Sequence, residues 1–169
     1  MAKNEKVRGF EEVVDSKKQY AKVVDVFGEK KTMYPPVQLP VRADSRSAGY
    51  DFFSPTDVTI LPKQKVVLWT NVKAYMQPDE VLEVYPRSSL GVKQGIMLAN
   101  TVGIIDSSYY GNPQNDGNIG LALYNTSGTA VEIKRGDRIA QGIFKKYLVA
   151  DNDVTITEER QGGFGSSGK

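Results

Sequence analysis

Asp57-Val58-Thr59-Ile60-Leu61-Pro62-Lys63-Gln64-Lys65-Val66-Val67-Leu68 decides the fold class. Val58 and Ile60 alternate with Asp57 and Thr59, the period of two that turns one face of a strand toward a core and the other toward water. Leu61 to Gln64 supply turn chemistry around a proline, and the chain returns as Val66-Val67-Leu68. The same grammar extends outward. Gln77-Pro78-Asp79-Glu80 reads as a turn, and Val81 to Tyr85 as a strand with Leu82 and Val84 on one face. Ile119, Leu121 and Leu123 alternate with Gly120, Ala122 and Tyr124, and Lys134-Arg135-Gly136-Asp137 is another turn. From Val37 to Tyr147 apolar runs and turns recur at about eight to twelve residues, the spacing of an all-β sandwich or barrel. Helical periodicity is almost absent there.

Outside this middle the composition changes. Residues 1–36 mix dense charge with Val13, Val14, Val23, Val24 and Val26 before Tyr34-Pro35-Pro36, and read as an N-terminal accessory segment, strand or helix. Residues 37–159 form the β domain. Residues 160–169, with four glycines from Gln161 to Lys169, have the composition of a flexible tail.

At 169 residues and 18.7 kDa the expectation is one core that needs no covalent staple. With Cys 0 and His 0, thiol nucleophiles, histidine-based triads and the usual zinc sites are excluded. A base working near neutral pH must be a carboxylate, lysine or tyrosine, and any metal a hard, oxygen-bound cation such as Mg2+. Lys+Arg 22 against Asp+Glu 20 is far from the charge balance of a duplex-coating protein, so direct nucleic-acid binding is not expected. No stretch is long and apolar enough for a membrane span, and MAKNEKVRGF lacks the apolar core of a signal peptide, so the expected location is the cytoplasm.

Two polar clusters stand out. Pro86-Arg87-Ser88-Ser89-Leu90-Gly91 follows an apolar strand and offers a guanidinium fork, hydroxyls and backbone amides to an anion, or else an ordinary helix cap made by Ser88 or Ser89. Asn100-Thr101-Val102-Gly103-Ile104-Ile105-Asp106-Ser107-Ser108-Tyr109-Tyr110-Gly111 ends an apolar strand in a carboxylate. Asp106 there is either a partly buried base or the turn residue of a β-hairpin, and Tyr109 is suited to lie flat on a sugar or base.

Taken in order, Ala48-Gly49-Tyr50-Asp51, Pro86-Arg87-Ser88-Ser89, Gly103 to Tyr109, Gly136-Asp137-Arg138-Ile139-Ala140-Gln141 and Arg160 to Gly168 are similar to the five motifs of the trimeric dUTPases. The likeness covers Val37 to the last residue, and Ala74-Tyr75-Met76 through Asn112-Pro113-Gln114-Asn115-Asp116-Gly117 resembles the type found in Gram-positive bacteria and their phages.

The resemblance implies a jelly-roll-like all-β fold assembled as a homotrimer, with active sites at subunit interfaces. It implies hydrolysis of dUTP to dUMP and pyrophosphate, which limits uracil in DNA and supplies dUMP for dTMP synthesis. Asp106 would orient and deprotonate the water that attacks the α-phosphorus. Asn100 and the backbone of Gly103 and Ile105 would hold the uracil, and Tyr109 would pack on the deoxyribose where a 2′-hydroxyl would clash. Arg87, Ser88, Ser89 and Gln141 would hold the triphosphate beside Mg2+, with Asp51 a water-mediated metal contact or a partner of Arg138. In the tail, Phe164 would cover the uracil while Arg160, Ser166 and Ser167 reach phosphates.

Two features depart from the family pattern: the long N-terminal segment, and Asn112 to Asn118, inserted after Gly111. Either is a possible docking surface for a regulatory protein partner, which gives the alternative reading of a dUTPase-like binding module. A related deaminase activity on dCTP is disfavoured, because Ala122 stands where the resemblance places that group's glutamate.

Overall fold

The computed structural model describes residues 5–19, 23–24, 30–31 and 36–154. Ile60 is fully buried at the end of a strand, Gln64 N donates to Leu61 O at 3.0 Å to close the turn, and Leu68 returns to the core. In chain order the strands are β1 (Gly9–Glu12), β2 (Val23–Val24), β3 (Lys30–Lys31), β4 (Val41–Arg42), β5 (Tyr50–Phe53), β6 (Val58–Ile60) and β7 (Lys65–Trp69). They continue as β8 (Val72–Tyr75), β9 (Glu80–Pro86), β10 (Ile96–Leu98), β11 (Gly103–Asp106), β12 (Gly120–Asn125), β13 (Val131–Ile133) and β14 (Arg138–Lys146). Helix is confined to Asp15–Lys17, Ser89–Gln94 and Ser107–Tyr109 among the described residues.

Five strands make the largest sheet, in the order β11-β9-β14-β5-β4, and three more make a second, β10-β12-β7. The pairs β1-β8, β6-β13 and β2-β3 complete the pairing. All described ladders are antiparallel. Leu82 and Val84 of β9 meet Ile119, Leu121 and Leu123 in one apolar core, as their alternation predicts. The 17 buried residues of that core come from both larger sheets, from β6, β8 and β13 of the two-stranded ladders, and from the connections, so that strands with one apolar face exclude water together.

Gly9–Glu12 lies within the stretch expected to be accessory. It is a strand on the edge of β8, and Phe10 packs on the core through rings of Tyr50, Phe52 and Phe144 at centroid distances of 5.3, 5.6 and 5.3 Å. Arg8 adds a fork of hydrogen bonds to the buried carboxylate of Glu80, 2.6 to 3.1 Å long. Of the two alternatives read for the segment, strand or helix, Gly9–Glu12 is a strand; its single aromatic anchor among charges is not a periodic pattern that could decide between them.

β10 and β11 do not form a hairpin: β10 pairs with β12 and β11 with β9, so the intervening residues 99–102 cross from one sheet to the other. Thr101, at φ 66°, makes that bend, with its N donating to Leu98 O at 3.0 Å. Both strands are short apolar runs joined by four residues, which in sequence is indistinguishable from a hairpin.

Candidate active site

β5, β9 and β14 are neighbours, and the polar residues of three motifs lie where they meet. Asp51, buried on β5, stands opposite Gln141 of β14, which stands opposite Tyr85 of β9. One Asp51 oxygen accepts from Arg87 Nη1 and the other from Arg138 Nη1 at 3.3 Å. A buried carboxylate between two guanidiniums is thereby paired, and it fixes the direction of both cations. Arg87 and Arg138 keep 23 % and 51 % of their side-chain surface exposed, so both can also meet an anion from solvent. Gly49 permits the packing: a Cβ there would lie 2.7 Å from Gln141 Oε1.

Arg87 also opens the helix, its carbonyl accepting from Gly91 N at 2.9 Å. Ser88 is the N-cap residue but makes no side-chain capping bond, which removes the helix-cap reading of that hydroxyl. Ser88 and Ser89 are exposed beside Arg87.

The second cluster lies at the sheet edge. Gly103 pairs with Val84, Ile105 with Leu82 and Asp106 with Val81. Asp106 is half-buried as the last residue of β11, not the middle of a turn, and the helix Ser107–Tyr109 follows it directly. Asn100 is exposed on the crossover between the sheets, and Ile105 is half-buried. Tyr109 is 7 % exposed; its hydroxyl donates to Asn118 O at 2.8 Å and accepts from Asn115 Nδ2 at 2.7 Å.

Within one chain the two clusters are far apart. Asp106 is opposite Val81 of β9, six residues before Arg87, which follows the last residue of that strand, a separation of about 20 Å at ~3.3 Å per residue. Phe164, Arg160, Ser166 and Ser167 lie outside the described residues.

A family model for dUTPase matches residues 36–168. The chain belongs to the dUTPase family. The deoxyuridine 5′-triphosphate nucleotidohydrolase of Lactococcus lactis is 44% identical over 133 residues, covering 78% of this chain and 89% of the relative. The crystal structure of dUTPase from Streptococcus mutans superposes with a TM-score of 0.69 at 36% identity, covering 85% of this chain and 99% of that one. A mutant dUTPase of phage phi11 of S. aureus, 22% identical, shares the fold with a TM-score of 0.59 over 72% of this chain and 91% of its own.

This dUTPase carries no group of three or more potential metal-ligating His, Cys, Asp or Glu side chains among its described residues. Both Asp51 oxygens are engaged by arginines. That donor set fits an ion brought in on phosphate oxygens and water rather than one caged by carboxylates. The sequence reading missed the residues around Tyr109: Asn71, Asn115, Gly117 and Asn118. The signal available was Asn112, Asn115 and Asn118 at three-residue spacing, asparagines that bond backbone in turns.

Proposed function

We propose that this chain hydrolyses dUTP to dUMP and pyrophosphate, and that Asp106 holds and deprotonates the water attacking the α-phosphorus. Family membership supports the reaction, since the Lactococcus relative is named for dUTP hydrolysis and aligns over most of both chains. The observation that carries the assignment of roles is Asp106 at a strand end, half-buried, with Tyr109 one helical turn later. In a chain with no histidine or cysteine, a base working near neutral pH is a carboxylate, lysine or tyrosine, and Asp106 is the carboxylate that this strand end positions beside Tyr109.

The pocket divides by chemistry. Asn100 and the backbone of Gly103 and Ile105 bind the uracil edge; a site built from fixed donors and acceptors rejects cytosine, and close walls reject the thymine methyl. Tyr109 packs on the deoxyribose. Arg87, Ser88, Ser89 and Gln141 bind the triphosphate, Arg87 held in direction by Asp51. The tail residues Arg160, Phe164, Ser166 and Ser167 close over the bound nucleotide, at an ordering cost that phosphate contacts offset. Mg2+ on the phosphates would neutralise their charge.

The site is shared between copies. The six residues from Val81, opposite Asp106, to Arg87 just past the end of β9 span about 20 Å of backbone, more than a triphosphate spans, so the phosphate-binding residues of one chain serve the base of another. Val92, Leu148 and Val149, exposed at 86%, 96% and 68% in the single chain, support burial against partner copies. Homotrimeric assembly and a cytoplasmic location complete the reading. Among the described residues no helix is long and apolar enough to cross a membrane.

The test is pyrophosphate release from dUTP, dCTP, dTTP and UTP under one set of conditions. Preferential use of dUTP is expected. Equal turnover of dUTP and UTP, or no turnover of dUTP, would overturn the proposal.

A further inference from the structure

The inserted residues Asn112 to Asn118 do not form a free loop. Asn112 N donates to Tyr109 O at 3.2 Å, Asp116 N to Asn112 O at 2.7 Å, and Asn118 N to Asn115 O at 3.0 Å. Gly117, at φ 80°, lies so close under the Ser107–Tyr109 helix that a Cβ would come within 2.6 Å of Tyr109 O. The coil brings two groups to one hydroxyl: Asn115 Nδ2 donates to Tyr109 Oη, and Tyr109 Oη donates to Asn118 O. Asn115 Oδ1 accepts in turn from Gly117 N at 3.0 Å, which fixes which edge of the carboxamide faces the tyrosine.

Behind this pair the coil is anchored to the domain. Asn118 is fully buried; its Oδ1 accepts from Asn71 N at 3.0 Å, and its Nδ2 donates to Asn71 Oδ1 at 2.9 Å. Asp116 accepts from Lys73 Nζ at 2.7 Å and from Val14 N at 2.9 Å, tying the coil to β8 and to the chain after β1. A hydroxyl with one donor and one acceptor, each held by a further bond, cannot rotate or slide without breaking several contacts at once.

We propose that Asn115 is a positioning residue for sugar selection: its amide, with the carbonyl of Asn118, locks the Tyr109 ring as a rigid wall that a 2′-hydroxyl cannot displace. The proposal rests on the reading that Tyr109 packs on the deoxyribose. Discrimination by exclusion works only if the excluding group does not yield, because a ring able to retreat by a few tenths of an ångström admits the extra oxygen. The insert supplies this stiffness from outside β11, the strand that carries Asp106.

The experiment compares kcat/KM for dUTP with that for UTP in full-length protein. Asn115→Asp retains the acceptor for Gly117 N but replaces the donor to Tyr109 by an oxygen. It should narrow the dUTP:UTP ratio about three- to tenfold, mainly by raising kcat/KM for UTP, with little change for dUTP. Tyr109→Phe, which removes the hydroxyl and keeps the ring, should narrow it equally, and the double variant should go no further. Tyr109→Phe keeps the test decisive if Asn115→Asp does not fold.

Wild-type ratios in both single variants, with Tyr109→Ala collapsing discrimination, would overturn the proposal and leave the sugar contact standing. Additive losses would also overturn it, since the two groups would then act separately. A wild-type ratio in Tyr109→Ala would remove the sugar reading and the proposal together.

Discussion

Replacing Gly117 by alanine should destabilise the protein well beyond the same change at Gly136. Both glycines have positive φ, 80° and 85°, where an L side chain costs roughly 1–2 kcal/mol, partly offset by about 0.4–1 kcal/mol from stiffening the unfolded chain. The backbone contribution is therefore about 1 kcal/mol at each site. Space separates them. A Cβ on Gly136 meets nothing within 4 Å, whereas one on Gly117 would lie 2.6 Å from Tyr109 O, 3.1 Å from Tyr110 Cα and 3.3 Å from Gly111 N. Those neighbours are backbone, so relief requires moving the coil or the Ser107–Tyr109 helix, an overpacking cost of about 1–3 kcal/mol. At about 2–4 °C per kcal/mol for a domain of this size, Gly136→Ala should lower Tm by about 2–4 °C, and Gly117→Ala by two to four times as much. Thermal unfolding is followed at one protein concentration, because self-association makes Tm concentration-dependent. Gly111→Ala, at φ 70° with open space around it, is a second control in the same segment. Equal losses at Gly117 and Gly136 would refute the claim that the insert is packed under Tyr109.

Three further outcomes are expected. Asp51→Asn removes the charge that directs Arg87 and Arg138; kcat/KM for dUTP should fall about 10- to 100-fold, the worth of one or two charge-assisted hydrogen bonds, and an unchanged value in a steady-state assay would show that neither arginine needs that partner. Hydrogen bonds from Arg8 hold the Glu80 carboxyl below its usual 4.5, and those from Lys6 and Tyr110 do the same for Glu11. The stability these groups contribute is therefore present above about pH 4.5 and lost as pH falls through their folded values. Tyr110, pushed up to about 12 chiefly by its bond to Glu11, adds a contribution lost as pH rises from 10 toward 12. Denaturation across pH should show both shoulders, with the acid one diminished in Glu80→Gln; an identical acid limb would refute the pairing. Deleting residues 160–169 should lower kcat/KM by about 10²-fold through loss of phosphate positioning, with Tm nearly unchanged; full activity would refute a role for the tail.

Most of the sheet framework was legible because its cause is local. Leu82, Val84, Leu121 and Leu123 alternate with more exposed neighbours, and Gln64 and Glu80 close turns that proline and acidic residues announce. The partners of each strand were not legible. Whether β11 pairs with β10 or β9 depends on contacts between segments about 20 residues apart, to which a pattern of period two is blind. Around the site, Asp51, Arg87 and Gln141 were singled out as residues and Arg138 was one of the partners considered for Asp51, while the fact that the same carboxylate also takes Arg87 emerges only when β5, β9 and β14 lie side by side. Phe10 and the asparagines of the insert were overlooked for opposite reasons. One is a lone aromatic among charges; the others are turn formers by composition that turn out to be half-buried or fully buried and bonded to the domain.

The central claim is that Asp106 activates the water, and Asp106→Asn tests it most directly. The variant keeps the size and position of the side chain at the end of β11 but cannot take up the proton. Single-turnover hydrolysis of dUTP should slow by about three orders of magnitude or more, while the Kd for a nonhydrolysable dUTP analogue changes less than about threefold, because the lost interaction exists only in the transition state. Hydrolysis within about tenfold of the wild-type rate, with binding intact, would contradict the assignment of the base.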